Sequence, residues 1–125
     1  MKFKNKINTK IWGLIPARLE SSRFPRKALE KIIDYPLVIH VALRSRLCKL
    51  IDEVAVCTDS KEIAQICSKY DVSVILTQSS HRNGTERISE AADILNIPDC
   101  DTIIDIQGDE ALVDPFALSR LIKFF

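Results

Sequence analysis

Apolar and polar positions alternate along the chain in blocks of two kinds, and their spacing sets out a series of elements. The run 11–15, Ile-Trp-Gly-Leu-Ile, is a short continuous apolar block of the kind that forms a buried strand. Pro16 has no N–H to donate, so strand pairing is expected to stop there. An apolar connector follows at 28–33. Asp34-Tyr35-Pro36 then resembles a helix start, with Asp34 or Tyr35 near the cap and Pro36 in the first turn. Leu37, Val38, Val41, Ala42, Ser45 and Cys48 recur at helical spacing. Arg44, Arg46 and Lys49 fall towards the end of that segment, where cations suit the helix dipole.

A second strand is predicted over 52–58, ending in Thr58-Asp59. Ser60 is placed to cap a helix whose inner stripe is Ile63, Ala64, Ile66 and Cys67. The run 72–76 predicts a third strand, and the polar stretch 77–85 a loop. Gly84 or Thr85 opens a further helix carrying Ile88, Ala91, Ala92, Ile94 and Leu95, with Pro98 beyond its end. A fourth strand is predicted over 101–106, and Asp114-Pro115 begins a last helix. Strand, loop and helix thus repeat four times, which argues for parallel strands with right-handed helical crossovers in an open α/β sheet. The chain reads as one domain, without internal repeats or low-complexity tracts. Two phenylalanines at its end, Phe124 and Phe125, look like a surface that more chain would cover, so the sequence reads as the first part of a longer protein.

Composition narrows the function. With 125 residues, 46% hydrophobic and 28% charged, this is an ordinary globular chain with enough material for a core. A net charge of +1 provides no global field for nucleic acid or acidic membrane, so neither is expected as a partner. The opening MKFKNKINTK does not read as a secretory signal, and no stretch reaches the roughly 18 apolar residues of a membrane span. Cys48, Cys57, Cys67 and Cys100 form no C-x-x-C pair and sit among apolar neighbours. Reduced, buried thiols of a cytoplasmic protein are expected.

The candidate chemistry follows the first strand. Arg18, Arg23, Arg26 and Lys27 lie within ten residues, with Glu20, Ser21 and Ser22 among them. Arginine offers paired donors that match phosphate oxygens, and lysine adds a compact charge. One cation–phosphate pair at about 4 Å is worth about 4 kcal/mol at an effective dielectric near 20, before desolvation. A solvated basic loop is the plain alternative. In the expected topology this loop, Thr58-Asp59, Asn83-Gly84-Thr85 and Gln107-Gly108-Asp109-Glu110 all follow strands, so they gather at one sheet edge. Cations beside carboxylates suggest polyphosphate with a hard metal such as Mg²⁺, which takes one or two carboxylates plus phosphate oxygens. Asp109 is the first candidate ligand and Glu110 the second; a turn or capping carboxylate is the alternative for Asp109. The stretch 83–87 could present amides to a ligand or simply cap a helix through Thr85. Gln107 could read a base or sugar through its amide. His40, alone on a helix, is assigned no chemistry.

These residues also carry a resemblance. PARLESSRFPRKAL is similar to the P-A-R-x-x-S-x-R-x-P-x-K-x-L signature of 3-deoxy-D-manno-octulosonate (Kdo) cytidylyltransferases, also called CMP-Kdo synthetases. The similarity continues through 54–59 (V-x-V-A-T-D), HRNGTERISE (H-x-S-G-T-D/E-R-x-x-E) and IIDIQGDEAL (V-x-N-V-Q-G-D-E-P), in order and at matching intervals. The resemblance implies a three-layer α/β/α, mainly parallel sheet of the nucleotide-diphospho-sugar transferase, Rossmann-like type. It implies a cytoplasmic, Mg²⁺-dependent, usually homodimeric enzyme that joins CTP to Kdo, giving CMP-Kdo and pyrophosphate for lipopolysaccharide synthesis. Arg18 and Lys27 match residues on the CTP phosphates, with Ser22 and Arg23 in the same loop. Ala17 and Gly84 match backbone around the cytidine, Gln107 a position near nucleotide and sugar, and Asp109 a metal-binding, catalytic aspartate. The chain departs from the family at Arg26, where glycine is usual, at Ala111, where proline is, and at Asp34-Tyr35-Pro36, where a Gly-Lys-Pro turn is. The family is about twice as long, and its other half carries a second metal aspartate and most Kdo contacts, so this length of chain is expected to be a poor catalyst alone. A cytidylyltransferase for another acidic sugar, such as a sialic-acid relative, and a non-catalytic CTP-binding module are the competing readings.

Overall fold

Strand β1, Ile11–Pro16, holds a central place because its side chains are apolar on both faces, and both faces are covered. The computed structural model describes residues 9–19, 26–32, 34–78, 83–108 and 115–123. After β1 come a single 3₁₀ turn at Lys27–Leu29, the two-residue strands β2 (Lys31–Ile32) and β3 (Tyr35–Pro36), and helix α1 (Leu37–Arg46). Then follow β4 (Glu53–Thr58), α2 (Lys61–Lys69), β5 (Val74–Leu76), α3 (Gly84–Ile94), β6 (Thr102–Asp105) and α4 (Pro115–Lys123). The main sheet has the order β5-β4-β1-β6, and every pairing in it is parallel.

Alternation along the strands sorts the core into two halves. Ile15, Val54, Val56, Ile104 and Ile106 face one way, against Val38, Val41 and Ala42 of α1, Ile63 and Cys67 of α2, and Leu118 and Ile122 of α4. Leu14, Ala55 and Cys57 face the other way, against Ile88 and Ala91 of α3. The result is the expected three-layer α/β/α arrangement. Full burial of a side chain such as Leu14 or Ile15, each with no exposed surface, stabilises by about 1.5–3 kcal/mol.

The amino ends of the strands are stitched by carboxylates. Asp101 accepts from the Lys10 amide at 3.0 Å and from the Trp12 indole N–H at 2.9 Å. Asp52 accepts from the Ile11 amide at 2.7 Å. The Trp12 indole first, then the Lys10 amide, hold the Asp101 carboxyl below its ordinary range by favouring the charged form.

The structure departs from the sequence expectations in several places. Tyr35-Pro36 is not the first turn of a helix but the second strand of a small antiparallel hairpin with Lys31-Ile32. Helix α1 begins only at Leu37, and Pro36 occupies its cap position without a side-chain capping bond. Cys48 lies past the end of α1, yet is buried in the main core cluster, with its Sγ 3.3 Å from Ser119 Oγ of α4. The second, third and fourth strands are shorter than expected, and Ile94 is exposed. All four cysteines are free; Cys48, Cys57 and Cys67 are buried as expected, but Cys100 is exposed. Asp114, Phe124 and Phe125 lie outside the described residues. Among those residues no helix is long and apolar enough to cross a membrane.

Candidate active site

The carboxyl end of β1 is where the site assembles. Past Pro16 the chain stays beside β4 for one more residue, since the Ala17 amide donates to the Cys57 carbonyl at 2.9 Å. Ala17 is consequently buried, and Arg18, next along, is exposed. The basic loop then closes on itself: the Arg26 amide donates to the Leu19 carbonyl at 2.7 Å. That bond brings the two stems of the loop together, so Arg18 and Lys27, nine positions apart in sequence, flank one closure. Lys27 opens the 3₁₀ turn that follows, with the Glu30 amide donating to its carbonyl at 3.0 Å. Ser22 and Arg23 belong to the part of the loop that lies outside the described residues, as do Glu20 and Ser21.

Arg26 behaves differently from the cation that the sequence suggested. Its backbone is left-handed, with φ 63°, and its guanidinium is paired with Glu62 in the first turn of α2. A non-glycine residue in this conformation costs about 1–2 kcal/mol. The side chains of Arg26 and Glu62 are 52% and 47% exposed, and a pair so accessible to solvent contributes only about 0–1 kcal/mol. Strain and pairing therefore come close to offsetting one another.

Two glycines bring other loops onto the same spot. A Cβ at position 84 would lie 3.0 Å from Pro16 Cγ, and one at position 108 would lie 2.6 Å from the Pro16 carbonyl oxygen. The turn after β6 can approach β1 so closely only with glycine at 108, and the start of α3 would be crowded by any side chain at 84. The Ile106 amide donates to the Leu14 carbonyl at 3.0 Å and fixes the register of that turn. The structure thus brings Ala17, Arg18, Lys27, Gly84, Gly108 and the adjoining exposed Gln107 to one edge. Asp109 and Glu110 follow Gly108 directly but lie outside the described residues. Among those residues no three carboxylates, imidazoles or thiols gather into a potential metal cage.

Thr85 does not cap α3. Asn83 does, with its side-chain oxygen accepting from the Glu86 amide at 2.9 Å. The residue that sequence reasoning undervalued is Arg87, which is buried. Its guanidinium donates to Thr77 Oγ1 at 2.7 Å and to the Gln78 carbonyl at 3.2 Å, and lies 3.7 Å from Asp59 Oδ1. It ties the loop after β5 to the end of β4. The signal was present: Arg87 is four residues from Ala91 and adjacent to Ile88, on the face of α3 that meets the sheet.

Burial pushes the Cys57 thiol up to about 12; nearby Arg87 pulls it down, and Asp105 adds to the rise. Burial pushes Cys67 up to about 11. Neither thiol forms appreciable thiolate at neutral pH, so neither is a nucleophile. Desolvation also raises the Asp105 carboxyl, which stands across from Leu14 of β1 on β6. Among the described residues the edge therefore offers cations and backbone donors, a set that suits phosphate.

The chain is 43% identical over 114 residues to a 3-deoxy-manno-octulosonate cytidylyltransferase of Nitratidesulfovibrio vulgaris strain Hildenborough, covering 91% of this chain and 45% of that protein. It is 42% identical over 108 residues to the protein of the same name from Wolinella succinogenes, covering 86% of this chain and 43% of the relative. The chain therefore spans less than half the length of these relatives. Among solved structures it superposes on a CMP:2-keto-3-deoxy-manno-octonic acid synthetase complexed with CTP with a TM-score of 0.86 at 32% identity, covering 93% of this chain and 47% of that one. The family model for cytidylyltransferases matches residues 12–124, which takes in every strand and helix built around this edge, and the chain belongs to the cytidylyltransferase family.

Proposed function

We propose that the edge formed by Ala17, Arg18, Lys27, Gly84 and Gln107 binds CTP, and that the chain is the nucleotide-binding half of an enzyme that transfers CMP to Kdo with release of pyrophosphate, in the cytoplasmic synthesis of lipopolysaccharide. The observation that carries this reading is the closure of the basic loop. The Arg26–Leu19 hydrogen bond sets Arg18 and Lys27 on adjacent stems, at the edge where Gly84 and Gly108 abut Pro16. A triphosphate laid along that edge would meet charge from both stems, with Arg23 and Ser22 of the same loop completing the cradle. Ala17 and the Gly84 backbone would border the cytidine, and the Gln107 amide would reach base or sugar.

The reaction is an in-line displacement. The anomeric hydroxyl of Kdo attacks the α-phosphorus and loses its proton to solvent, a new oxygen–phosphorus bond forms, and the bond to the β-phosphate breaks to release pyrophosphate. Arg18 and Lys27 stabilise charge on the transferred and departing phosphates. A divalent metal, Mg²⁺ in this reading, supplies further neutralisation of that charge when bound. The donor chemistry fits such an ion: Gly108 packs against the end of β1, and the next residue in sequence, Asp109, is a carboxylate of the kind a hard cation prefers. Asp109 would hold the metal.

Calorimetric titration with CTP, UTP and GTP in the presence of Mg²⁺ tests the reading. Preference for CTP is expected, and Arg18→Ala is expected to weaken it about tenfold, equivalent to about 1.4 kcal/mol. Asp109→Asn is expected to keep the fold and abolish the Mg²⁺ dependence of CTP binding; retained dependence would show that Asp109 is not the ligand. Pyrophosphate release on adding Kdo, compared with a sialic acid, then separates a Kdo enzyme from a relative acting on another acidic sugar. CTP binding without release with either sugar indicates a binding half that needs its other part.

A further inference from the structure

We infer that Glu62 is a positioning residue for the nucleotide loop: by holding Arg26 it fixes the second stem, and with it Lys27, relative to Arg18. The inference rests on the CTP reading of this edge and adds to it a residue outside the loop. Three observations support it. The stems meet through the Arg26–Leu19 backbone hydrogen bond, so the conformation at position 26 decides where Lys27 departs. Arg26 is left-handed there, at φ 63°, a conformation that glycine adopts more readily. In place of glycine's freedom the chain carries a long side chain whose guanidinium is paired with Glu62. The partner is mounted on a firm base: Ser60 caps α2 by accepting from the Ile63 amide at 3.1 Å, and Ile63 and Cys67 of that helix are fully buried. Glu62 itself lies in the first turn of α2, where a carboxylate is favoured by the helix dipole. Arg26 is thus charge-matched by protein, and its role in the loop is to anchor it.

A double-mutant cycle on CTP affinity, read by calorimetry with Mg²⁺ at low salt, tests this. Glu62→Gln is expected to weaken CTP about three- to fivefold while thermal stability stays nearly constant, because both side chains are half exposed. Glu62→Asp should recover part of the loss. Arg26→Gly should weaken CTP by a similar factor, and adding Glu62→Gln to it should cost nothing more, since the pair is already gone. Raising the salt should shrink the difference between wild type and Glu62→Gln. Arg26→Gly, which relaxes its own backbone, gives the same reading should Glu62→Gln fold poorly. The inference is overturned if Glu62→Gln changes affinity by less than about 1.5-fold, or if the two substitutions add, while Arg18→Ala still weakens CTP strongly. In that case the nucleotide reading survives. If wild type does not bind CTP, or Arg18→Ala has no effect, both fall.

Discussion

The two edges of the sheet are built from similar residue types and use them in opposite ways. At the amino edge, polar groups are consumed by the backbone: Asp101 takes the Lys10 amide and the Trp12 indole, and Asp52 takes the Ile11 amide. Lys10 also lies 3.7 Å from Glu53. At the carboxyl edge the approach of the loops is governed by missing side chains at Gly84 and Gly108, and Arg18 is left exposed. One edge uses its charge to align strands, and the other leaves a cation exposed where loops converge. The difference teaches where to look for ligand chemistry in a parallel sheet: where carboxylates close on neighbouring amides the structure is served, and where backbones touch through glycine a ligand can be.

The contrast can be broken from the carboxyl side most sharply. Arg87→Ala is expected to destabilise the fold by about 2–3 kcal/mol in urea denaturation. The substitution strips Thr77 and Asp59 of their buried partner, and the cost falls below that of a fully enclosed pair because the Asp59 side chain is 26% exposed. Gly108→Ala should follow, at about 1–3 kcal/mol of overpacking against backbone that has no side chain to yield. It should also weaken CTP, since the turn after β6 must withdraw from Pro16, and both effects are measurable on one sample by denaturation and titration. The smallest effect belongs to the amino edge. Asp101→Asn should lower the melting temperature slightly near pH 7 and leave CTP affinity unchanged. The folded Asp101 carboxyl titrates below its unfolded value, so its contribution is present above about pH 4 and is lost as pH falls through the folded value. The gap between wild type and Asp101→Asn should accordingly narrow in a melting series as the pH is taken down through the folded value.

Much of this architecture was legible in the residues. The continuous apolar run 11–15 foretold a buried strand, Pro16 marked its end, and Ser60 capped α2 as expected. The loops that carry the motifs reached one edge because parallel strands put all their carboxyl ends together. What escaped had physical reasons. Strands of two residues, such as β2 and β3, have no period to detect. Asn83 and Thr85 are both competent caps, and only the extended backbone at Asn83 decides between them. Arg26 looked like one more phosphate ligand because neither a left-handed φ nor a partner 36 positions away is written locally. Arg87 was given no role of its own, because a buried arginine is recognised by what surrounds it. Ser22, Arg23 and Asp109 lie outside the described residues, so their placement is still an expectation from sequence.

The strand order carries a consequence for how the molecule comes into being. Among the described strands β1 is the first in sequence, yet it sits between β4 and β6, and Ile11 must wait for Thr102 before its second flank is closed. Until then an apolar ribbon stands half-paired, which favours slow acquisition of the native topology and a period of vulnerability to misassociation during synthesis.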